Sequence, residues 1–109
     1  MDLTTKKCVP CEGGVPPFTP SQIEEYKKEV SSEWEVIEDN HKLMRKFKFE
    51  DFRKAMGFVN KVADVAEEDQ HHPNIEIFYN IVKLTLWTHA IAGLSENDFI
   101  VAAKVDKIT

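Results

Sequence analysis

The stretch that decides the fold is residues 71–89, HHPNIEIFYNIVKLTLWTH, in which apolar and polar side chains alternate on both sides of Tyr79-Asn80. A period of two is typical of β-strands, and a tight polar connection between two such runs indicates a hairpin. One strand therefore begins near Ile75 and the next near Val82, and His89 falls at the end of the second strand.

Before this hairpin, residues 51–69 carry the clearest helical pattern in the chain. Apolar side chains recur there at steps of three and four, which predicts one face against a core: Phe52, Met56, Val59, Ala63 and Ala66, flanked by Ala55, Val62 and Val65. Gly57 lowers the local helix propensity. We expect it to mark a close approach of the helix to the sheet.

Further upstream, Thr19, Pro20 and Gln22 form the start signal of a helix that we predict to run to about Val30. Two alternating runs follow, one from Trp34 and one from Leu43 to Phe49, and Asp39-Asn40 between them indicates a hairpin. At the other end, Ser95 and Asp98 predict the start of a last helix.

The element order is helix, hairpin, helix, hairpin, helix. It predicts an α+β fold with a four-stranded antiparallel sheet and helices packed on one face, and Trp87 on the other face. Residues 1–18 are predicted to be an irregular N-terminal leader, and residues 19–109 a single domain. At 109 residues the chain has room for one modest core.

Composition excludes several classes of function. The net charge is -5 and the basic residues are dispersed, which argues against direct nucleic-acid binding. No apolar run approaches the length of a membrane span, and the first residues do not resemble a secretory signal. We therefore expect a cytoplasmic protein with no membrane partner.

Cys8 and Cys11 have a Cys-x-x-Cys spacing within a Pro/Gly-rich stretch. Three interpretations stay open: half of a zinc site, for which a second cysteine pair is missing; a redox pair, which belongs at a strand-to-helix junction; and incidental thiols in an extension. The last interpretation is favoured.

Histidines supply the candidate chemistry. Pro73 disfavours helical geometry at His72, so His71 and His72 should point to opposite sides of an extended chain, one into a pocket and one along its rim. Glu67, four residues before His71, is placed to accept a hydrogen bond from an imidazole. With His89 they predict an acid–base site.

Each of these residues also has a structural interpretation. The histidine pair is suited to a helix C-terminus, Asp98 to a helix N-terminus beside Ser95, and Trp34 and Trp87 to packing. His41 lies in a turn and receives no role. A zinc site of three histidines and a carboxylate is a rival, but the spacing fits no standard zinc motif.

Taken together, the pattern resembles the pterin-4a-carbinolamine dehydratase family over residues 19–108. Its elements stand here in the family's order: Glu67, His71-His72-Pro73, Tyr79, Thr88-His89, Gly93-Leu94 and Asp98, with Trp34, Phe47, Phe49, Asp51-Phe52 and Gly57-Phe58 upstream. So many positions at fixed spacing are far more specific than any one motif among them.

The resemblance implies dehydration of 4a-hydroxytetrahydrobiopterin to quinonoid dihydropterin, in tetrahydrobiopterin recycling. It implies an α+β fold, a homodimer or homotetramer, and no metal or other cofactor. His71 and His89 would be the acid–base pair, and His72 would assist departure of the hydroxyl.

The resemblance also implies supporting roles in binding or orientation. Glu67 would orient the histidine pair or hold the pterin, Trp34 would flank its ring, and Asp98 would support His89. Pro73 and Thr88 complete the predicted site. A second hypothesis is a non-catalytic dimerisation or regulatory module on the same fold.

Overall fold

A computed structural model describes residues 1–9 and 15–109. Two short 3-10 helices accompany the regular elements, at Leu3–Thr5 and His89–Ile91. The regular elements in chain order are α1 (Pro20–Lys27), β1 (Glu35–Ile37), β2 (Lys42–Lys48), α2 (Phe52–Asp69), β3 (Asn74–Phe78), β4 (Ile81–Leu86) and α3 (Glu96–Ile108).

The four strands form one antiparallel sheet in the order β1-β2-β4-β3. Each hairpin turn uses left-handed backbone: Glu38, Asp39 and Asn40 have positive φ in the first turn, and Tyr79 in the second. The two hairpins meet where β2 pairs with β4, from Leu43 opposite Leu86 to Lys48 opposite Ile81. The predicted fold class is confirmed.

Side-chain caps set the helix starts. Thr19 and Gln22 form the predicted capping box at α1, and the Asp51 carboxylate accepts a hydrogen bond from the Lys54 N–H at α2. At α3 the Ser95 N–H donates to Asp98 Oδ2 at 3.0 Å. These bonds satisfy donors that a helix N-terminus otherwise leaves unpaired. Helix α1 ends at Lys27, earlier than the predicted Val30.

The buried face of α2 differs from the predicted face. The residues that it buries are Ala55, Phe58, Val62, Ala66 and Asp69. Phe52 is 49% exposed, because it lies in the first turn, and Phe58 packs on Phe47 and Phe49 instead. The expected close approach at Gly57 is wrong: a Cβ there would meet no atom within 4 Å.

Helix α3 is the centre of the core. Its buried apolar residues lie on every side of the helix: Phe99, Ile100, Val101, Ala102, Ala103 and Val105. A helix that is apolar all round must be covered all round. Helices α1 and α2 and the 3-10 helix Leu3–Thr5 all contact it.

The N-terminal segment is more structured than an irregular leader. Leu3 is 2% exposed within the core, and Asp2 caps the 3-10 helix by accepting a hydrogen bond from the Thr4 N–H. Burial of the apolar Leu3 side chain stabilises the docked position of this segment. Cys8 lies against α3 as a free thiol, whereas Cys11 lies outside the described residues, so the interpretations of the pair stay untested.

Candidate active site

A cleft of about 470 Å³ opens where the segment after α2 meets the segment after β4. It brings together three of the four histidines of the chain. The residues that line it are Gln70, His71, His72, Pro73, Asn74, Trp87, Thr88, His89 and Ala90.

The end of α2 aims the histidine pair. Gln70 adopts a left-handed conformation (φ 51°), and the N–H groups of Gln70 and His71 both donate to the carbonyl of Ala66. A left-handed residue stops a helix and reverses the direction of the chain. Pro73 then leads into β3. His71 consequently turns inward, and His72 lies at the exposed rim; the sequence predicted one residue in each place without saying which.

His71 is held by a buried carboxylate. Its Nε2 lies 2.6 Å from Asp98 Oδ1, and the Asp98 side chain is fully buried. The second oxygen of Asp98, Oδ2, accepts hydrogen bonds from Thr88 Oγ1 at 2.9 Å and from the Ser95 N–H at 3.0 Å. A buried carboxylate with this many donors is a rigid partner that fixes the position of the imidazole ring.

His72 has a carboxylate partner of its own. Its Nε2 lies 2.7 Å from Glu67 Oε2, one helical turn back on α2, and both side chains are exposed. An exposed pair of this kind orients the ring but contributes little to stability. The predicted Glu67–imidazole contact therefore forms with His72.

His89 lies beyond the end of β4, in the 3-10 helix His89–Ile91, and not in the strand as predicted. An isolated bridge between Thr88 and Gly93 closes a small loop around it. Its ring stacks on Trp87, with centroids 4.2 Å apart and planes 13° apart. Lys42 Nζ lies 4.2 Å from the centre of the Trp87 ring. The stack gives the cleft a flat aromatic wall.

Two predicted site residues have protein partners other than the expected ones. Asp98 pairs with His71 and not with His89, because the start of α3 faces the turn after α2. Trp34 is 1% exposed and lies outside the cleft lining; its Nε1 donates to Asp106 Oδ1 at 2.8 Å. Asp106 is eight residues beyond Asp98 on α3, which corresponds to about 12 Å of helix.

Sequence reasoning missed four members of the cleft: Trp87 as a stacking surface, and Gln70, Asn74 and Ala90 as lining residues. Trp87 carried a signal, since the alternation placed it opposite the core face. Tyr79, part of the family pattern, lies exposed in the β3–β4 turn and does not line the cleft.

Within residues 1–9 and 15–109, no group of three His, Cys, Asp or Glu side chains is placed to hold a metal ion. Over the same residues, no helix combines the length and apolarity needed to cross a membrane. Two of the three imidazoles of the cleft are paired with carboxylates, and imidazoles of this kind are suited to moving protons near neutral pH.

Fold and site together define a class: an α+β protein with an open cleft that holds three histidines. Comparison with known proteins gives the family. The family model for pterin 4 alpha carbinolamine dehydratase matches residues 16–108. The chain belongs to this family.

Relatives match along almost the whole chain. A protein of Rickettsia canadensis, named "Putative pterin-4-alpha-carbinolamine dehydratase", is 49% identical and the match covers 95% of this chain and 94% of that protein. A protein of Rubrobacter xylanophilus with the same name is 45% identical, with 98% of each chain covered.

Solved structures agree. A transcriptional coactivator/pterin dehydratase from Brucella melitensis superposes with a TM-score of 0.79 at 35% identity, covering 84% of this chain and 97% of that one. A pterin dehydratase-like protein described as a RuBisCO assembly factor in the alpha-carboxysome gives a TM-score of 0.60 at 26% identity, covering 69% and 87%.

Proposed function

We propose that this protein dehydrates 4a-hydroxytetrahydrobiopterin to quinonoid dihydropterin and water, and so takes part in tetrahydrobiopterin recycling. The observation that carries the proposal is the convergence of His71, His72 and His89 on one cleft, two of them with carboxylate partners. Membership of the family supplies the substrate class.

The reaction breaks the C4a–O bond and forms the C4a=N5 double bond. It needs one proton delivered to the departing hydroxyl and one proton removed from N5. Two imidazoles of complementary protonation supply both transfers, and such groups typically contribute a factor of about 10²–10⁴ each. His71 and His89 are assigned as this pair.

The partners of the two paired histidines fit different tasks. When the His71 Nε2–H donates a hydrogen bond to Asp98, the Nδ1 atom of His71 is left as the acceptor of a proton. The Asp98 carboxylate then stabilises the imidazolium that forms when Nδ1 takes up that proton. To His72, which Glu67 holds at the rim, we assign the binding of the departing hydroxyl and assistance to its loss. We assign no stereochemical face to any histidine.

The flat wall of the cleft is suited to a flat bicyclic substrate. Trp87 and His89 are stacked nearly parallel, and the cleft volume lies within the range typical of small-molecule sites. Pro73 and Asn74 also line the cleft. Thr88 acts through Asp98, to which its hydroxyl donates. The proposal invokes no metal or other cofactor.

The test is stopped-flow absorbance of freshly generated 4a-hydroxytetrahydrobiopterin in the presence of chelator. Wild-type protein should accelerate dehydration, and the His71→Ala/His89→Ala double variant should fall to nearly the uncatalysed rate. His41→Ala is the matched control, since His41 is the histidine that does not line the cleft. Near-normal turnover by the double variant would refute the assignment.

A second candidate is a non-catalytic dimerisation or regulatory module. Edge strand β3 and the turn after it expose Ile77, Phe78 and Tyr79, and Phe52 is exposed as well. Exposed apolar patches of this kind mark association sites. We propose a homodimer or homotetramer, which sedimentation would establish. Catalytic inactivity of a properly associated wild-type protein would favour the second candidate.

A further inference from the structure

Two pieces of the N-terminal chain contact the segments that carry the histidines. Residues 1–9 lie against the end of α2 and the start of α3, and residues 17–18 lie against Gly93 and Leu94. We call residues 1–9 and 17–18 the N-terminal strap. The family model begins at residue 16, so most of the strap lies outside it.

The first anchor is Asp69, two residues before His71. Its Oδ1 accepts a hydrogen bond from the Cys8 N–H at 3.1 Å, and its Oδ2 accepts one from Lys104 Nζ at 2.6 Å. The Asp69 side chain is almost wholly buried. A buried carboxylate is costly unless it is paired, so this contact fixes where the strap lies.

The second anchor is Asn97, next to Asp98. The Val9 N–H donates to Asn97 Oδ1 at 3.1 Å, and Asn97 Nδ2 donates to the Val9 carbonyl at 2.7 Å. The amide thus pairs with the backbone as a neighbouring strand would. His71 and the strap residues Cys8 and Val9 line the same cavity of about 280 Å³, so the strap lies next to the segment that carries His71.

The third anchor lies beside the loop that carries His89. The Phe18 N–H donates to the carbonyl of Leu94 at 2.8 Å. Pro17 packs so closely on Gly93 that an added Cβ would lie 2.6 Å from Pro17 Cβ. Gly93 is bridged to Thr88, the residue before His89.

We propose that the N-terminal strap is a positioning element of the active site, in which Asn97 and Asp69 hold the His71–Asp98 pair and Gly93 seats the His89 loop. The proposal rests on the proposed dehydratase function. Catalytic groups displaced by about 1 Å lose on the order of 10² in rate, so releasing an anchor should lower kcat more than it raises KM.

The experiment compares Asn97→Ala with Asn80→Ala. Both changes remove a side-chain amide that donates to a backbone carbonyl, but Asn80 lies in the β3–β4 turn and bonds Phe49, which follows β2. Asn97→Ala should lower kcat about 10- to 100-fold with KM unchanged, and amide exchange at Val9 should accelerate. Asn80→Ala should keep wild-type kcat. Equal kcat in both variants at equal folded fraction would overturn the proposal.

A rescue pair tests the third anchor, with kcat expressed per folded molecule. Gly93→Ala should lower kcat, because its Cβ clashes with Pro17, and adding Pro17→Gly should restore much of that loss. Failure of the second change to restore kcat would overturn this anchor. If the wild-type protein shows no turnover, the dehydratase function and the strap proposal are overturned together. If the wild type is active and the variants keep its kcat, the strap proposal alone is overturned.

Discussion

At the scale of single residues, the Asp98 side chain has several structural roles in the site. One oxygen pairs with His71, and the other accepts bonds from Thr88 and from the Ser95 backbone. The same side chain therefore caps α3, joins the chain after β4 and orients an imidazole. Glu67 does only the last of these, for His72, and does it in solvent.

This difference in burial predicts that substitution of Asp98 lowers kcat more than substitution of Glu67. Asp98→Asn should lower kcat by about 10²-fold or more, because the amide cannot stabilise a positively charged His71. Glu67→Gln should cost less than about tenfold, since exposed pairs contribute little. Stopped-flow kcat values decide between them, with melting temperature as the check on folding. Similar losses in the two variants would contradict the ranking.

Trp34 gives a second prediction at this scale. Trp34→Phe removes the donor to Asp106 and leaves a void in the core beside Phe47. The free energy of unfolding should drop by about 1–3 kcal/mol, while KM for the pterin stays within twofold. Denaturant titration and steady-state kinetics measure the two quantities. A raised KM with unchanged stability would instead support the role that the family resemblance implied for Trp34.

At the scale of helices and strands, what the sequence predicted depended on local chemistry. Thr19-Pro20-Gln22 and Ser95-x-x-Asp98 start helices through bonds within one turn, so sequence alone was sufficient. The strands were predicted within a few residues for the same reason, because alternation is a local pattern.

The differences at α2 and at Asp98 involve partners that are distant in sequence. The face that α2 buries depends on Phe47 and Phe49, because Phe58 packs its ring against both of them. The partner of Asp98 depends on where the turn after α2 meets α3. A shared site for the three histidines was predicted first from their positions around the second hairpin and then from the family pattern.

An ionic contact between elements predicts a pH dependence. Glu96 on α3 accepts hydrogen bonds from Tyr26 Oη of α1 at 2.7 Å and from Lys6 Nζ at 3.0 Å. The Tyr26 bond, followed by Lys6, holds the pKa of Glu96 below its ordinary 4.5, although burial opposes this. The same bond is the main cause that raises the pKa of Tyr26 to about 12.

A lowered carboxyl pKa stabilises the fold above the unfolded-state pKa, and that stability is lost as pH falls through the folded-state pKa. The melting temperature of wild type should therefore decline below pH 4.5 more steeply than that of Glu96→Gln. Thermal melts from pH 7 to about pH 3 measure it. Parallel curves of melting temperature against pH for wild type and Glu96→Gln would contradict a contribution of this contact to stability.

At the scale of the whole molecule, α3 joins the parts. The strap, α1 and α2 all contact it, so opening any one of them exposes a core that the others share. Cys8 lies at the meeting point of the strap with α2 and α3. Burial, and then the negative charge of Asp69, raises the pKa of its thiol to about 12.

This position makes Cys8 a reporter of opening. Because the thiolate is the reactive form, alkylation of Cys8 by iodoacetamide at pH 8 should be more than about 100-fold slower in the folded protein than in denaturant. A Cys11→Ser background restricts labelling to Cys8, and mass spectrometry follows it. Rapid labelling of the folded protein would show that the strap detaches readily.

The contrast between the two histidine–carboxylate pairs has a consequence for ionic strength. His72 and Glu67 are 54% and 72% exposed, whereas His71 and Asp98 are 13% and 0% exposed. Dissolved ions screen charges in water over about 10 Å at 0.1 M and about 3 Å at 1 M, but screen a buried pair far less. Added salt should therefore loosen the rim histidine and leave the inner one in place. The salt dependence of turnover would then measure the contribution of His72 to turnover. A substitution of His72 or Glu67 would change the packing at the same time and so confound the measurement.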